Sequence, residues 1–251
     1  MGSLCIVKPL SPIALYGATG DGARMLSPDP KEVAVSPGGS GGATYLLDFG
    51  QPVALDSVFL GYHSATGPQE WAFVTSDSAG NQTGTLIGTT AFAPSGYGPP
   101  YHSFVRAANP LTSRYWSLYT SAKGGPAFYI GVLAVGLALQ FQYGTEWGAG
   151  RSIDDTGTAE RLFGGGFGID DGVAAGGYQW TFGDLQPDEL RKLYQLVRER
   201  RTTRSVLVVE DPDQTDGLNE RLHWGLFRKL DAYERLDPLN TKWSLQVADW
   251  A

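Results

Sequence analysis

Chemistry in this 251-residue chain would have to come from three histidines, one cysteine, and a few clusters of acidic, basic, glycine or aromatic residues. His63, His102 and His223 are spread along the sequence, and no two lie at a metal-binding i, i+4 spacing. His223 sits between Leu222 and Trp224 in an expected strand, which points to a structural role. Cys5 stands alone, so no intrachain disulfide is possible, and it reads as a small apolar residue rather than a nucleophile. No Gly-x-Ser-x-Gly elbow is present. Glycoside hydrolysis needs two carboxylates facing each other across a groove. Glu70 and Asp171 are examples of available carboxylates, but no spacing singles out a pair. No catalytic residues, and hence no enzyme, are expected.

Four further segments call for a reading. Gly164-Gly165-Gly166-Phe167-Gly168 has the glycines of a phosphate loop but no Gly-Lys-Ser/Thr after it, so it reads as a bulged or wide loop. The acidic groups Asp154-Asp155, Asp170-Asp171 and Glu210–Asp216 offer oxygen ligands. Pro212 breaks any EF-hand spacing in the last, which reads as a solvated turn, and neither metal nor cofactor is expected. Arg191, Lys192, Arg198, Arg200, Arg201 and Arg204 form a basic cluster. With a net charge of −7 for the chain, salt bridges and pairing with a helix dipole account for it better than nucleic acid does. Phe92, Tyr97, Tyr101 and His102 lie in a loop rich in Pro and Gly. Such rings either hold a sugar or a protein partner, or fold back onto their own domain.

The elements that would position these residues are mostly strands. Residues 1–142 hold six Lys+Arg and seven Asp+Glu, against thirteen and nineteen in residues 143–251. This change in charge density predicts two domains, 1–142 and 143–251. In the first, short apolar stretches end in turn residues: Val33–Val35, Ala43–Phe49, Val53–Tyr62, Trp71–Thr75, Gly84–Thr90, Tyr101–Ala107, Tyr115–Tyr119 and Ala127–Val135. Gly50-Gln51-Pro52 is expected to turn the chain. That spacing predicts a β-sandwich or jelly roll. The second domain is expected to be α+β. A helix begins at Pro187, with a stripe of Leu190, Leu193, Tyr194 and Val197 and Asp184 as a cap or pre-cap. Strands flank it at Gly177–Phe182, Ser205–Val209, Leu222–Tyr233 and Thr241–Trp250. The apolar run Tyr129–Leu139 is too short to span a membrane and reads as a buried strand pair, so no membrane insertion is expected. No basic stretch precedes an apolar run at the N-terminus, so no signal peptide is expected.

Two resemblances bear on these residues. Leu47-Asp48-Phe49-Gly50 through Leu60, followed by Ser113-Arg114-Tyr115-Trp116-Ser117-Leu118-Tyr119, resembles discoidin-like (factor 5/8 type C) jelly rolls over about residues 30–140. Such domains often bind glycans or lipids through loops at one end, which implies a host glycan as a possible partner. The disulfide found in many of them is absent. The second resemblance covers residues 143–251. Gly150-Arg151-Ser152, Thr181–Leu185 leading into the helix, Ser205–Pro212, Trp224–Phe227 and the strand Trp243–Val247 resemble minor tail and distal tail-tip proteins of long-tailed (siphovirus-like) bacteriophages. This resemblance implies a structural virion component made in the host cytoplasm. It also implies a homo-oligomer, trimer or hexamer, contacting tail-tube, tail-tip or hub proteins. Gly164, Gly165, Gly166 and Phe167 are then candidate subunit contacts. The alternative is a carbohydrate- or protein-binding module with no virion role.

Overall fold

The computed structural model describes residues 3–17, 21–92, 100–214 and 216–250. The chain is mostly β, with one α-helix among the described residues. It divides into two compact units: Cys5–Gln140 with Val209–Leu222, and Met1–Leu4 with Phe141–Val208 and His223–Ala251. The excursion of Val209–Leu222 into the first unit is not visible in sequence.

The first unit holds β1 (Leu4–Val7), β2 (Ala14–Gly17), β3 (Ala34–Ser36), β4 (Gly42–His63), β5 (Glu70–Ser76) and β6 (Gln82–Ala91). It continues with β7 (Tyr101–Ser121), β8 (Phe128–Ile130), β9 (Val132–Gly136) and β10 (Ala138–Gln140). Its main sheet runs β2-β4-β7-β5-β6, with β9 added to β4, and a second, two-stranded sheet β3-β8 shares its core, which makes the unit a β-sandwich of the jelly-roll kind. Two corrections concern strand length. The expected strands Ala43–Phe49 and Val53–Tyr62 are one strand, β4, and Tyr101–Ala107 and Tyr115–Tyr119 are both within β7. Gly50-Gln51-Pro52 does not reverse the chain. It forms a bulge between Asp48 and Val53, with Gly50 at φ 75°, and β4 keeps pairing with β7 on both sides of it. The first half of β4 therefore pairs with β2, while Ser57–Gly61 pairs with β9.

Period-2 alternation fills the core. Trp71 and Phe73 of β5, Trp116 and Leu118 of β7 and Tyr45 and Leu47 of β4 point inward, with Phe73 stacked on Trp116 at 5.4 Å. The Tyr129–Leu139 run forms pieces of three short strands rather than a pair. Cys5 is fully buried where β1 pairs with β10, and burial pushes its thiol up to about 12. The acidic segment Glu210–Asp216 is not a free solvated turn. Arg221 threads it, donating to the carbonyl oxygens of Glu210, Gln214 and Asp216, and Asn219 Oδ1 accepts the Phe104 N–H at 3.2 Å.

The second unit holds β11 (Gly150–Asp155), β12 (Thr158–Arg161), β13 (Phe167–Asp170), β14 (Ala174–Leu185) and α1 (Pro187–Arg200). After these come β15 (Val206–Glu210), β16 (Leu222–Leu230), β17 (Glu234–Arg235) and β18 (Thr241–Asp249). Sheet order is β15-β16-β18-β14-β11, with β17 beside β18. Gln186, not Asp184, caps α1: its backbone N–H donates to the Glu189 carboxylate at 3.1 Å, half of a capping box. The buried helix residues are Leu193, Leu196 and Val197, so the inward face is turned slightly from the expected stripe. Tyr194 is half exposed, its ring near Trp243 and Tyr233. His223 is buried in β16, stacked on Tyr178 at 4.9 Å with Nδ1 2.9 Å from Asp249 Oδ2. Among the described residues, no helix is long and apolar enough to cross a membrane.

Candidate functional site

The site with the clearest binding chemistry lies on the outer face of the sandwich, where β6 slips past β5. Trp71 pairs with Thr90 and Phe73 with Ile87, so two residues of β6, Gly88 and Thr89, face the single Ala72 of β5. A second slip leaves Leu86 extra between Phe73 and Val74. Paired bulges of this kind bend a strand and re-aim its side chains. Because Trp71 and Phe73 point into the core, Ala72 and Val74 point out and form a small apolar floor. On the neighbouring strand Trp116 and Leu118 point in, which sends Tyr119 outward, directly opposite Ala72.

The result is a recess of about 310 Å³ bounded by Ala72, Val74, Gln82, Thr85, Gly88, Thr89 and Tyr119. None of these side chains is charged. Tyr119 is fixed by donating its hydroxyl to the Gly80 carbonyl at 3.3 Å, and Gln82 Nε2 donates to Thr85 Oγ1 at 2.7 Å. The turn that carries Gly80 is itself held by Asp77, which accepts from the backbone of Ala79 and Asn81 and from the Asn81 side chain. The Asn81 side chain, with these N–H groups, holds the Asp77 carboxyl below the usual carboxylate range. One aromatic ring beside an amide and two hydroxyls, over an apolar floor, can stack on the C–H face of a sugar ring and bond its hydroxyls.

A second polar recess, 270 Å³, lies in the other unit between Gln179, Thr181, Ser244 and Gln246. Trp180 and Leu245 border it but belong to the buried side of their strands, so it has no ring to stack against. Among the described residues, no three His, Cys, Asp or Glu side chains come together as metal ligands.

The residues singled out in sequence fall elsewhere. Phe92 is a correction: it is only 2% exposed and packs edge-on against His63 at 4.7 Å and Phe128 at 5.1 Å, so it serves the core rather than a surface. Tyr97 lies outside the described residues. Tyr101 and His102 are half buried at the start of β7, and His102 Nδ1 accepts the Tyr62 backbone N–H at 3.2 Å. His63 is fully buried, bonded through Nε2 to Ser103 Oγ at 2.9 Å, and burial pushes its imidazole down to about 3. Gly164, Gly165, Gly166 and Phe167 form the exposed tip of the β12–β13 hairpin. Sequence reading missed Gln82, Thr85, Thr89 and Tyr119. The alternation around Trp116 and Leu118 signalled that Tyr119 faces out, but nothing signalled the slip of β6.

No family model matches the sequence, and no curated protein matches it. Solved structures similar to about half of the chain include several carbohydrate-binding modules. One is a chitosan-binding module derived from a chitosanase/glucanase of Paenibacillus sp. IK-5 (13% identity, 52% of this chain, 98% of that one, TM-score 0.38). Another is a CBM32 module from a family 31 glycoside hydrolase of Clostridium perfringens (11%, 50%, 96%, 0.37). A third is a fucose-binding module of Streptococcus pneumoniae (9%, 52%, 95%, 0.36). At such identities and TM-scores these likenesses carry no weight for function, which has to come from the residues. The tail-protein resemblance of residues 143–251 finds no support in these comparisons.

Proposed function

We propose that the protein is a non-catalytic carbohydrate-binding protein whose sandwich takes a neutral sugar residue at the Tyr119 recess. The observation that carries this reading is the lining itself: one outward aromatic ring and three uncharged hydrogen-bonding side chains, with no ionised group among them. A charged sugar would leave its carboxylate or sulfate unpaired there, at a cost that a neutral sugar avoids. The volume of 310 Å³ suits one sugar residue at a chain end or within a chain. The intact protein on an array of neutral and acidic glycans tests this. Retention of a neutral set supports the reading, and silence, or retention of acidic glycans alone, contradicts it.

A second reading, a subunit of a larger assembly such as a phage tail, is favoured by one observation. The hairpin β12–β13 is exposed along its length and carries unburied apolar side chains. Incorporation of the protein into tail particles tests that reading, and its absence from them counts against it.

A further inference from the structure

The hairpin β12–β13 pairs only with itself among the described residues, and every residue of both strands is exposed or half exposed. An isolated two-stranded hairpin is at best marginally stable in water, and it leaves two open strand edges. Its register nevertheless sorts its side chains. Arg161 pairs with Phe167 and Ala159 with Ile169, placing the apolar residues on one face. Glu160 and Asp170 fall on the other. Phe163 at the tip is fully exposed, Phe167 64% and Ile169 71%. Gly165, at φ 91°, makes the turn, with Leu162 N–H donating to Gly166 O at 2.8 Å. At the base, Asp155, Asp170 and Asp171 border a recess of 370 Å³. From Gly150 to Ala174 the chain holds five acidic and two basic residues. The segment thus has an acidic base and an apolar tip.

The same unit carries a surface of opposite character. At the end of α1, Arg198, Arg201 and Arg204 border a recess of 600 Å³ together with Gln195, Glu199 and Thr203. The sequence led to the expectation that salt bridges and pairing with the helix dipole absorb this cluster, and Arg198 and Arg200 do lie in the last turn of α1. Among the described residues, however, the guanidinium groups of Arg198, Arg201 and Arg204 have no ion pair, whereas Arg191 pairs with Asp188. Tyr194, 49% exposed, lies one turn before Arg198 on the same helical face. The seven steps from Tyr194 to Arg201, the residue that caps the end of α1, span about 10 Å at helical rise. The three strand steps from Asp170 to Phe167 also span about 10 Å.

We infer that the β12–β13 hairpin of one copy docks on the α1 end of a second copy. Its acidic base meets Arg198, Arg201 and Arg204, and its Phe163–Phe167 tip covers Tyr194. This deepens the assembly reading by naming the partner and the face it uses, and it does not depend on the sugar site. The contact is head-to-tail, so repetition closes a ring or extends a filament. The acidic base disfavours an anionic bilayer as the occupant.

Charge reversal on the full chain, read by light scattering, tests the contact. The wild type is expected to form a species larger than a monomer that weakens at high salt. Asp170→Arg with Asp171→Arg, and separately Arg198→Glu with Arg204→Glu, should each weaken assembly by about 10- to 100-fold. Mixing the two variants should restore it, as should combining all four changes in one chain, since opposite charges then meet again. All positions are exposed, and an unchanged circular dichroism melt checks that each variant folds. Variants that assemble as strongly as an assembling wild type overturn the inference while leaving the assembly reading in place. A wild type that is monomeric throughout overturns the inference and counts against that reading. Monomers that bind neutral lipid vesicles through Phe163 would put a bilayer on the hairpin instead, which also overturns it.

Discussion

Arg114 holds Asp48 through two parallel hydrogen bonds, Nε to Oδ1 and Nη2 to Oδ2, each 2.8 Å. The pair ties together the two segments whose sequence resembles discoidin-like jelly rolls, Leu47–Leu60 and Ser113–Tyr119. It sits at the β4 bulge, where Asp48 Oδ1 also accepts the Gly50 N–H at 2.7 Å. Arg114 lies over the Tyr115 ring at 4.8 Å. A carboxylate bonded to both a guanidinium fork and a bulge amide fixes the bend that lets one strand serve two pairings.

Asp48→Asn and Arg114→Ala should therefore each lower Tm, with Arg114→Lys intermediate because a lysine keeps the charge but loses the fork. The Arg114 side chain holds the Asp48 carboxyl below its ordinary range. A carboxyl with a depressed folded pKa stabilises above its unfolded pKa and loses that contribution as pH falls through the folded one. Melts of wild type and Asp48→Asn should thus differ at neutral pH and converge in strong acid.

His63 gives a pH dependence at higher pH. Burial pushes its folded pKa to about 3, beneath the ordinary value of 6.5, so the unfolded chain takes up the proton first. Its contribution to stability is complete above that ordinary value and declines toward 3, at a slope approaching about 1.4 kcal/mol per pH unit. His63→Phe should flatten the loss of stability between neutral and mildly acidic pH in denaturant titrations. An unchanged slope would contradict this account of His63.

Phe92→Ala should destabilise the protein by about 3–5 kcal/mol, as truncation of a buried ring does. A surface ring at that position would cost little. Chemical denaturation distinguishes the two directly.

Cys5 should resist thiol reagents in the folded protein, since its thiol is fully buried and pushed up to about 12. A colorimetric thiol assay should show reaction only after denaturant is added.

The sandwich was largely legible because its inward residues alternate. Trp71 with Phe73, and Trp116 with Leu118, mark their strands and faces without any knowledge of pairing. Gly50-Gln51-Pro52 was misread because the same residues make turns and bulges. Only the continued pairing of β4 with β7 decides between them, and that is a long-range relationship. Phe92 looked exposed from its Pro- and Gly-rich neighbours, yet a pocket beside His63 and Phe128 takes its ring. The hairpin β12–β13 was missed because neither of its faces is buried, so it lacks the contrast that marks a half-buried strand. The Tyr119 recess depends on a slip between β5 and β6 that no local pattern records.

The most direct test of the central claim is the affinity of wild type and Tyr119→Ala for a neutral glycan retained by the array, by calorimetric titration at matched thermal stability. Loss of the stacking ring should weaken binding by about 10-fold or more, worth about 1.4 kcal/mol. Equal affinities for the two proteins would place the sugar elsewhere and contradict the assignment of the recess.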